Sequence, residues 1–400
     1  MYHSIGKPNK KWRYNHLTCP YRLFESQLIW MKKKNFHSIS LQQLYDYVNK
    51  GIKLPKNPVV LTFDDGYLDN WVFAYPLLKK YEFNGTIYAN PDFVDPRNIC
   101  RKTLEDVWNG ELEIEKLETT GYLSWNEMKE MVEGGVMDIQ SHAMTHTWYF
   151  KSDKIVDFRH PGDPYIWMTW NNNTEKKPYL QIDKDEFIDY GEPVYEYGKS
   201  LEITRYFPDK GLSKYLITYV KEQGVGDFYV TVDWKDKLLK IVEFYKKENE
   251  LDEKFETEEE YEKRLEYELE KSKEIIEKKL KINVKFLCWP GGGLTQKALE
   301  IASEVGYVSS TAARDIKNYA SNELKNTYGA DPSQINRVGP VLYWNGIVGY
   351  NSKIRYKNGF LFVLSLYNFQ ERKIIAPTSK MILGGMASLY KFISYFEEMI

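Results

Sequence analysis

The sequence predicts an α/β fold built on a parallel sheet or barrel. Three observations carry the prediction. Runs such as NPVVLTF (57–63) are nearly continuous in apolar β-formers, the pattern of strands buried on both faces. Such runs alternate with segments of helical spacing, as parallel α/β folds require. Finally, charged and imidazole side chains arrive at the C-terminal ends of these strands, where barrels of this kind build their sites.

Along the chain, 22–33 (RLFESQLIWMKK) has helical apolar spacing and FHSIS is a short strand. Ser40 caps the helix LQQLYDYVNK, which stops on Gly51. After NPVVLTF come the helix YPLLKKYEF and the strand GTIYAN. Ser124 and Glu127 form a capping box for the helix Trp125–Glu133, closed by Gly134-Gly135, and VMDIQ is the next strand. From about 150 to 245 the alternation breaks into segments rich in Pro, Gly, Asn, Trp and Tyr, read as an insertion. Thr257 and Glu260 cap a long helix whose stripe of Tyr261, Leu265, Leu269, Ile276 and Leu280 reads as an ordinary surface helix. VKFLCWPGGG, TQKALEIASEVG and YVSSTAA then resume the strand–helix–strand order. Residues 340–400 hold a further strand-like segment and a last helix, LYKFISYFEEM.

The 400 residues are 42% hydrophobic, enough for a large core. A net charge of -2 argues against a dedicated nucleic-acid binder. Cys19, Cys100 and Cys288 are too few and too scattered for a disulfide framework, and no CxxC pair exists for a zinc ribbon. No apolar leader or spanning segment is visible, so the expectation is a cytoplasmic protein without a membrane span, although a chain opening on a strand leaves room for upstream sequence. The oligomeric state is not legible. With 32 tyrosines and 11 tryptophans, flat rings are available as sugar platforms, or simply as core and surface packing.

The chemistry concentrates at two strand ends. Asp64 and Asp65 end NPVVLTF, and His142 and His146 follow VMDIQ with i, i+4 spacing, which puts them on one face if the turn is helical. Two imidazoles and one carboxylate make a three-ligand site with an open position for zinc or its neighbours. Ala143 follows His142, so the HExxH motif of zincin proteases is absent.

LTFDDGY, SHAMTH and FLCWPGGG together resemble the first three motifs of the polysaccharide deacetylases, the NodB-homology carbohydrate esterases. MYHSIG resembles the first strand of one branch of that family, and the likeness covers roughly 1–150 and 270–340. The resemblance implies a distorted (β/α)7-type barrel over 1–340, with an insertion at about 150–270 that shapes the substrate groove and a C-terminal extension, 341–400, packed on the barrel. It implies removal of acetyl groups from an N-acetylated sugar or polysaccharide with one divalent metal, Zn2+ foremost, with Co2+, Ni2+ or Mn2+ as alternatives. Asp65, His142 and His146 would bind the metal, and Asp64 would be the general base. The backbone at Pro290, Gly291 and Gly292 would help bind the oxyanion, with Trp289 placed either to stack on a sugar or to pack the wall.

Two departures matter. Position 288, two residues before the proline, is a cysteine where the family carries an arginine, which removes the expected support of Asp64. No histidine follows His160, so the general acid of the fifth motif is missing or moved, and His3 either takes that role or helps bind substrate, or is only a histidine hydrogen-bonded at the barrel rim. His160 reads as a turn residue, and Arg337 as a structural cap or barrel closure. The alternatives are a catalytically inactive carbohydrate-binding protein of this fold and an amidohydrolase acting on a non-sugar C–N bond.

Overall fold

A computed structural model describes residues 1–9, 12, 14–179, 187–311, 326–339, 357–369 and 375–397. Six parallel strands form one sheet, in the order Gln334–Ile335, Ser309–Thr311, Phe286–Leu287, Met137–Ser141, Gly85–Ala89, Thr62–Asp64. The two edges are joined by the start of the chain. Tyr2 pairs in parallel with Phe63, with its N–H on the Thr62 carbonyl at 2.7 Å and its carbonyl receiving the Asp64 N–H at 3.0 Å. On its other side, the Met1 nitrogen donates to the Val338 carbonyl at 3.1 Å. Residues 1–2 thus act as a seventh stave and close the barrel, a device that satisfies edge groups otherwise left open.

The local signals translate directly. Ser40, Ser124 and Thr257 each accept from the third helical N–H in a reciprocated capping box. Gly51 ends its helix with φ +70°, a conformation without penalty only for glycine. The apolar strands are buried on both faces, and all five residues of Gly85–Ala89 are inaccessible. The strand-like segment expected within 340–400 does not occur among the described residues there, where Gly359–Phe369 is a helix packed along Tyr21–Lys33.

The region after His146 is more ordered than its composition indicated. Trp148–Phe158 and Pro193–Lys199 form an antiparallel ribbon. The helices Lys210–Glu222 and Trp234–Glu248 pack together over a separate apolar cluster that includes Phe158, Leu212, Leu216, Leu238 and Val242. The helix Glu258–Leu280 returns the chain to the barrel. Tyr261, Leu265, Leu269, Ile276 and Leu280 are buried and join the main core, the apolar stripe expected of a surface helix, and Glu268 and Ser272 are buried on the same face.

Candidate metal centre

The strand Thr62–Asp64 ends in two adjacent left-handed residues, Asp65 (φ 73°) and Gly66 (φ 70°). This turn splits the aspartates. Asp64 stays in the strand, 3% exposed, while Asp65 swings to the mouth. On the neighbouring strand Met137–Ser141, the following loop is not helical: Ala143 (φ 56°) and His146 (φ 42°) are also left-handed. The helical turn expected for the HxxxH pair is therefore replaced by an open loop that still brings both rings to one point. Non-glycine residues in this region carry strain, and here they cluster at the site.

Asp65 Oδ1 lies 3.2 Å from His142 Nε2 and 3.3 Å from His146 Nε2. It is buried, yet receives no well-formed hydrogen bond. His142 Nδ1 is 2.7 Å from the Cys288 carbonyl, which fixes the proton on Nδ1 and turns the Nε2 lone pair toward Asp65. Lone pairs facing one another at this distance call for a cation between them, and a nitrogen–oxygen set of this kind suits zinc and its neighbours. Burial opposes charge on Asp65, but the facing imidazoles hold its carboxyl well below the usual range. Burial likewise opposes charge on His142, but Cys288 and Asp65 raise the imidazole well above its ordinary value. The place between these groups could be taken by a proton or by a divalent cation.

Asp64, His142 and Cys288 also lie within metal-binding distance of one another. That set is the weaker candidate because its donors are already engaged. Arg337 donates bidentately to Asp64, Nη1 to Oδ1 at 2.6 Å and Nη2 to Oδ2 at 3.0 Å. Burial pushes the Asp64 carboxyl up, and Arg337 and His3 outweigh it, holding the group well below the usual carboxylate range. Arg337 Nη2 is also 3.0 Å from Cys288 Sγ. Arg337, expected as a structural cap or barrel closure, also holds the Asp64 carboxylate. The guanidinium that position 288 lacks arrives from the far end of the sheet, and the small cysteine leaves room for it. The signal was available: INRVGP sits at a strand end, like every other site segment.

His3 lies between the Tyr2 bridge and the strand Ser4–Gly6. Its ring is coupled electrostatically to Asp65, Asp64, Arg337 and His142, its Nδ1 is buried without a partner, and burial lowers its pKa. Trp289 is 2% exposed inside the main core, so the wall-packing alternative describes it and its ring presents no face to a sugar. Gly291 and Gly292 both have positive φ in the turn after Pro290, and the Gly292 N–H is engaged by the Trp289 carbonyl at 2.9 Å. His160 sits on the insertion beside Trp234, consistent with a turn residue. Sequence reading missed Tyr67, buried against Asp65, and Asn90, which donates to the His142 carbonyl. It also missed the aromatic wall of Phe93 and Trp148 against His146, backed by Trp170 from the insertion, which packs on Phe93.

The polysaccharide deacetylase family profile matches residues 51–184. The protein YxkH of Bacillus subtilis (strain 168) is 30% identical over 146 residues, 36% of this chain and 42% of the relative. The poly-beta-1,6-N-acetyl-D-glucosamine N-deacetylase of Staphylococcus aureus (strain MRSA252) is 29% identical over 193 residues, 45% of this chain and 59% of the relative. The chain thus spans about half the length of the curated relatives it matches. Among solved structures, the BpsB deacetylase domain from Bordetella bronchiseptica aligns with a TM-score of 0.45 and 16% identity, covering 77% of this chain and 81% of that one. The matched segment contains Asp64, Asp65, His142 and His146 and carries the profile of the polysaccharide deacetylase family.

Proposed function

We propose that the protein is a metal-dependent hydrolase that removes acetyl groups from an N-acetylated sugar or polysaccharide. The observation that carries this reading is the pairing of two unlike carboxylates: Asp65 turned toward two imidazole lone pairs, and Asp64 held off them by Arg337. A divalent cation held by Asp65, His142 and His146 would polarise the acetyl carbonyl and make water a nucleophile near neutral pH. Zn2+ is the best fit to two nitrogens and an oxygen.

Asp64, kept ionised, accepts the proton of the attacking water through Oδ1, which retains a lone pair beyond the one given to Arg337, whereas Oδ2 also accepts from the Cys288 thiol at 3.5 Å. With the Gly292 N–H engaged, the Gly291 N–H is the candidate donor to the developing oxyanion, and Pro290 fixes the turn that presents it. His3, the remaining imidazole at the site among the described residues, has an unpartnered buried nitrogen, and burial favours its neutral form; it would relay to the departing amine the proton that Asp64 takes from water.

The test is acetate release from N-acetylglucosamine oligomers, β-1,4- and β-1,6-linked, by chain stripped of metal and reloaded with zinc. Release that depends on the metal and disappears in His142→Ala supports the reading. Tight zinc binding with no acetate released from any acetylated oligomer or generic acetyl ester would point instead to a carbohydrate-binding protein. If His3→Ala released acetate at the wild-type rate, the acid assignment would be withdrawn.

A further inference from the structure

The loop that carries both histidines is built without helical hydrogen bonds, and other parts of the chain satisfy its peptide groups one by one. The Ala143 N–H donates to Ser141 Oγ at 3.1 Å, and Asn90 Nδ2 donates to the carbonyls of His142 and Ala143. The Met144 carbonyl receives the Asp92 N–H at 3.4 Å. Around Thr145 the partners become charged. Glu268 Oε2 accepts the N–H groups of Met144 and Thr145 at 3.2 and 2.9 Å, and Oε1 accepts the Thr145 hydroxyl. Lys177 Nζ donates to the Thr145 carbonyl at 2.9 Å and to Asp92 at 3.0 Å. Glu268 and Lys177 are each 1% exposed, charges that a fold excludes from its interior unless they are paired.

We propose that Glu268 and Lys177 are positioning residues of the metal centre, holding the peptide groups before and after Thr145 and so setting where His146 Nε2 meets Asp65. His146 is the next residue and is itself left-handed, so its ring position follows the orientation of those peptide groups. Charge-assisted hydrogen bonds are about twice as strong as neutral ones, which suits them to hold a loop away from its relaxed form. Both residues come from the segment that interrupts the barrel, Lys177 from the turn Thr174–Tyr179 and Glu268 from the helix Glu258–Leu280. The insertion therefore completes the metal site as well as walling it. The inference rests on the metal-centre reading above.

The experiment measures zinc affinity of the full chain by competition with a chromogenic chelator, beside thermal melting of the metal-free protein and acetate release at saturating zinc. Glu268→Gln and Lys177→Met should each weaken zinc binding by roughly 10- to 100-fold, the usual effect of losing an outer partner of a ligand. At saturating zinc, kcat should fall with KM nearly unchanged. Lys263→Met, on the exposed face of the same helix, should change neither. Thr145→Val removes only the hydroxyl contact and should weaken zinc binding by a few-fold, which keeps the idea testable if a charge variant does not fold. Variants that melt lower yet bind zinc like the wild type would show a purely structural pair and overturn the proposal. Wild-type chain that binds no zinc would remove the metal reading, and this inference with it.

Discussion

The two loops of the metal centre reach similar backbone conformations by opposite means. The Asp64–Gly66 turn is local: two consecutive left-handed residues, one of them glycine, reverse the chain at once and throw adjacent carboxylates into different surroundings. The His142–His146 loop has no glycine and only alanine and histidine at its left-handed positions. It is held instead by side chains from the rest of the fold. A turn encoded by its own residues can be read from a short motif. A loop encoded by distant partners cannot, although its ligands can.

This contrast can be broken in order of effect. Asp64→Asn should lower acetate release by roughly 10²- to 10⁴-fold, as loss of a general base does, while leaving zinc affinity within a few-fold of wild type. Asp65→Asn should do the reverse first, abolishing tight zinc binding. If both variants lost zinc equally, the division of labour between the aspartates would be wrong.

Removing the guanidinium comes next. Arg337→Met leaves Asp64 charged and buried, and should destabilise the protein by about 3 kcal/mol in denaturant melts. The double variant Asp64→Asn/Arg337→Met should recover part of that loss. A cost that simply added would mean the two side chains do not interact.

A third effect tests how the N-terminal segment is tied to the first loop. Asp69 is buried, accepts from the Ser4 hydroxyl, and has a pKa raised to about 7, burial being the dominant cause. A carboxyl with a raised folded-state pKa holds its proton longer than the unfolded chain does, so stability falls as pH rises between about 4 and 7. Melting should therefore improve from pH 8 to pH 5, Asp69 contributing on the order of 1–2 kcal/mol, and Asp69→Asn should make the profile shallower, the rest coming from Glu192 and Asp138, which burial raises to about 7 and about 6. An unchanged slope in that variant would assign the dependence elsewhere.

The smallest expected effect is Gly66→Ala, at about 1 kcal/mol from left-handed strain alone. A Cβ there would meet only ordinary contacts with Ala89 at 3.8 Å. A loss several times larger would mean that the turn is under more constraint than its own dihedrals explain.

Much of the barrel was legible because its signals are local. Capping boxes at Ser40, Ser124 and Thr257, the αL stop at Gly51 and the doubly buried strands each depend on a few neighbouring residues. The long antiparallel ribbon was obscured by the turn residues around it, and the polar part of the inner face of Glu258–Leu280 by the charged residues that dominate its sequence. Glu268 could not be told from its exposed neighbours, because burial of one carboxylate depends on what lies opposite it.

The sequence alone determined which residues could carry the chemistry: two adjacent aspartates before a glycine, and two histidines after a neighbouring strand. Those choices are fixed by residue type and short spacing. Only the tertiary structure decided how they are placed and what supports them. Barrel closure through residues 1–2 brings His3 to the site and Arg337 to Asp64 across 273 positions of chain. The small Cys288, just past an interior strand, leaves room for the guanidinium that follows the strand Gln334–Ile335. Contacts at such separation depend on how the whole chain folds back, and no local pattern records them.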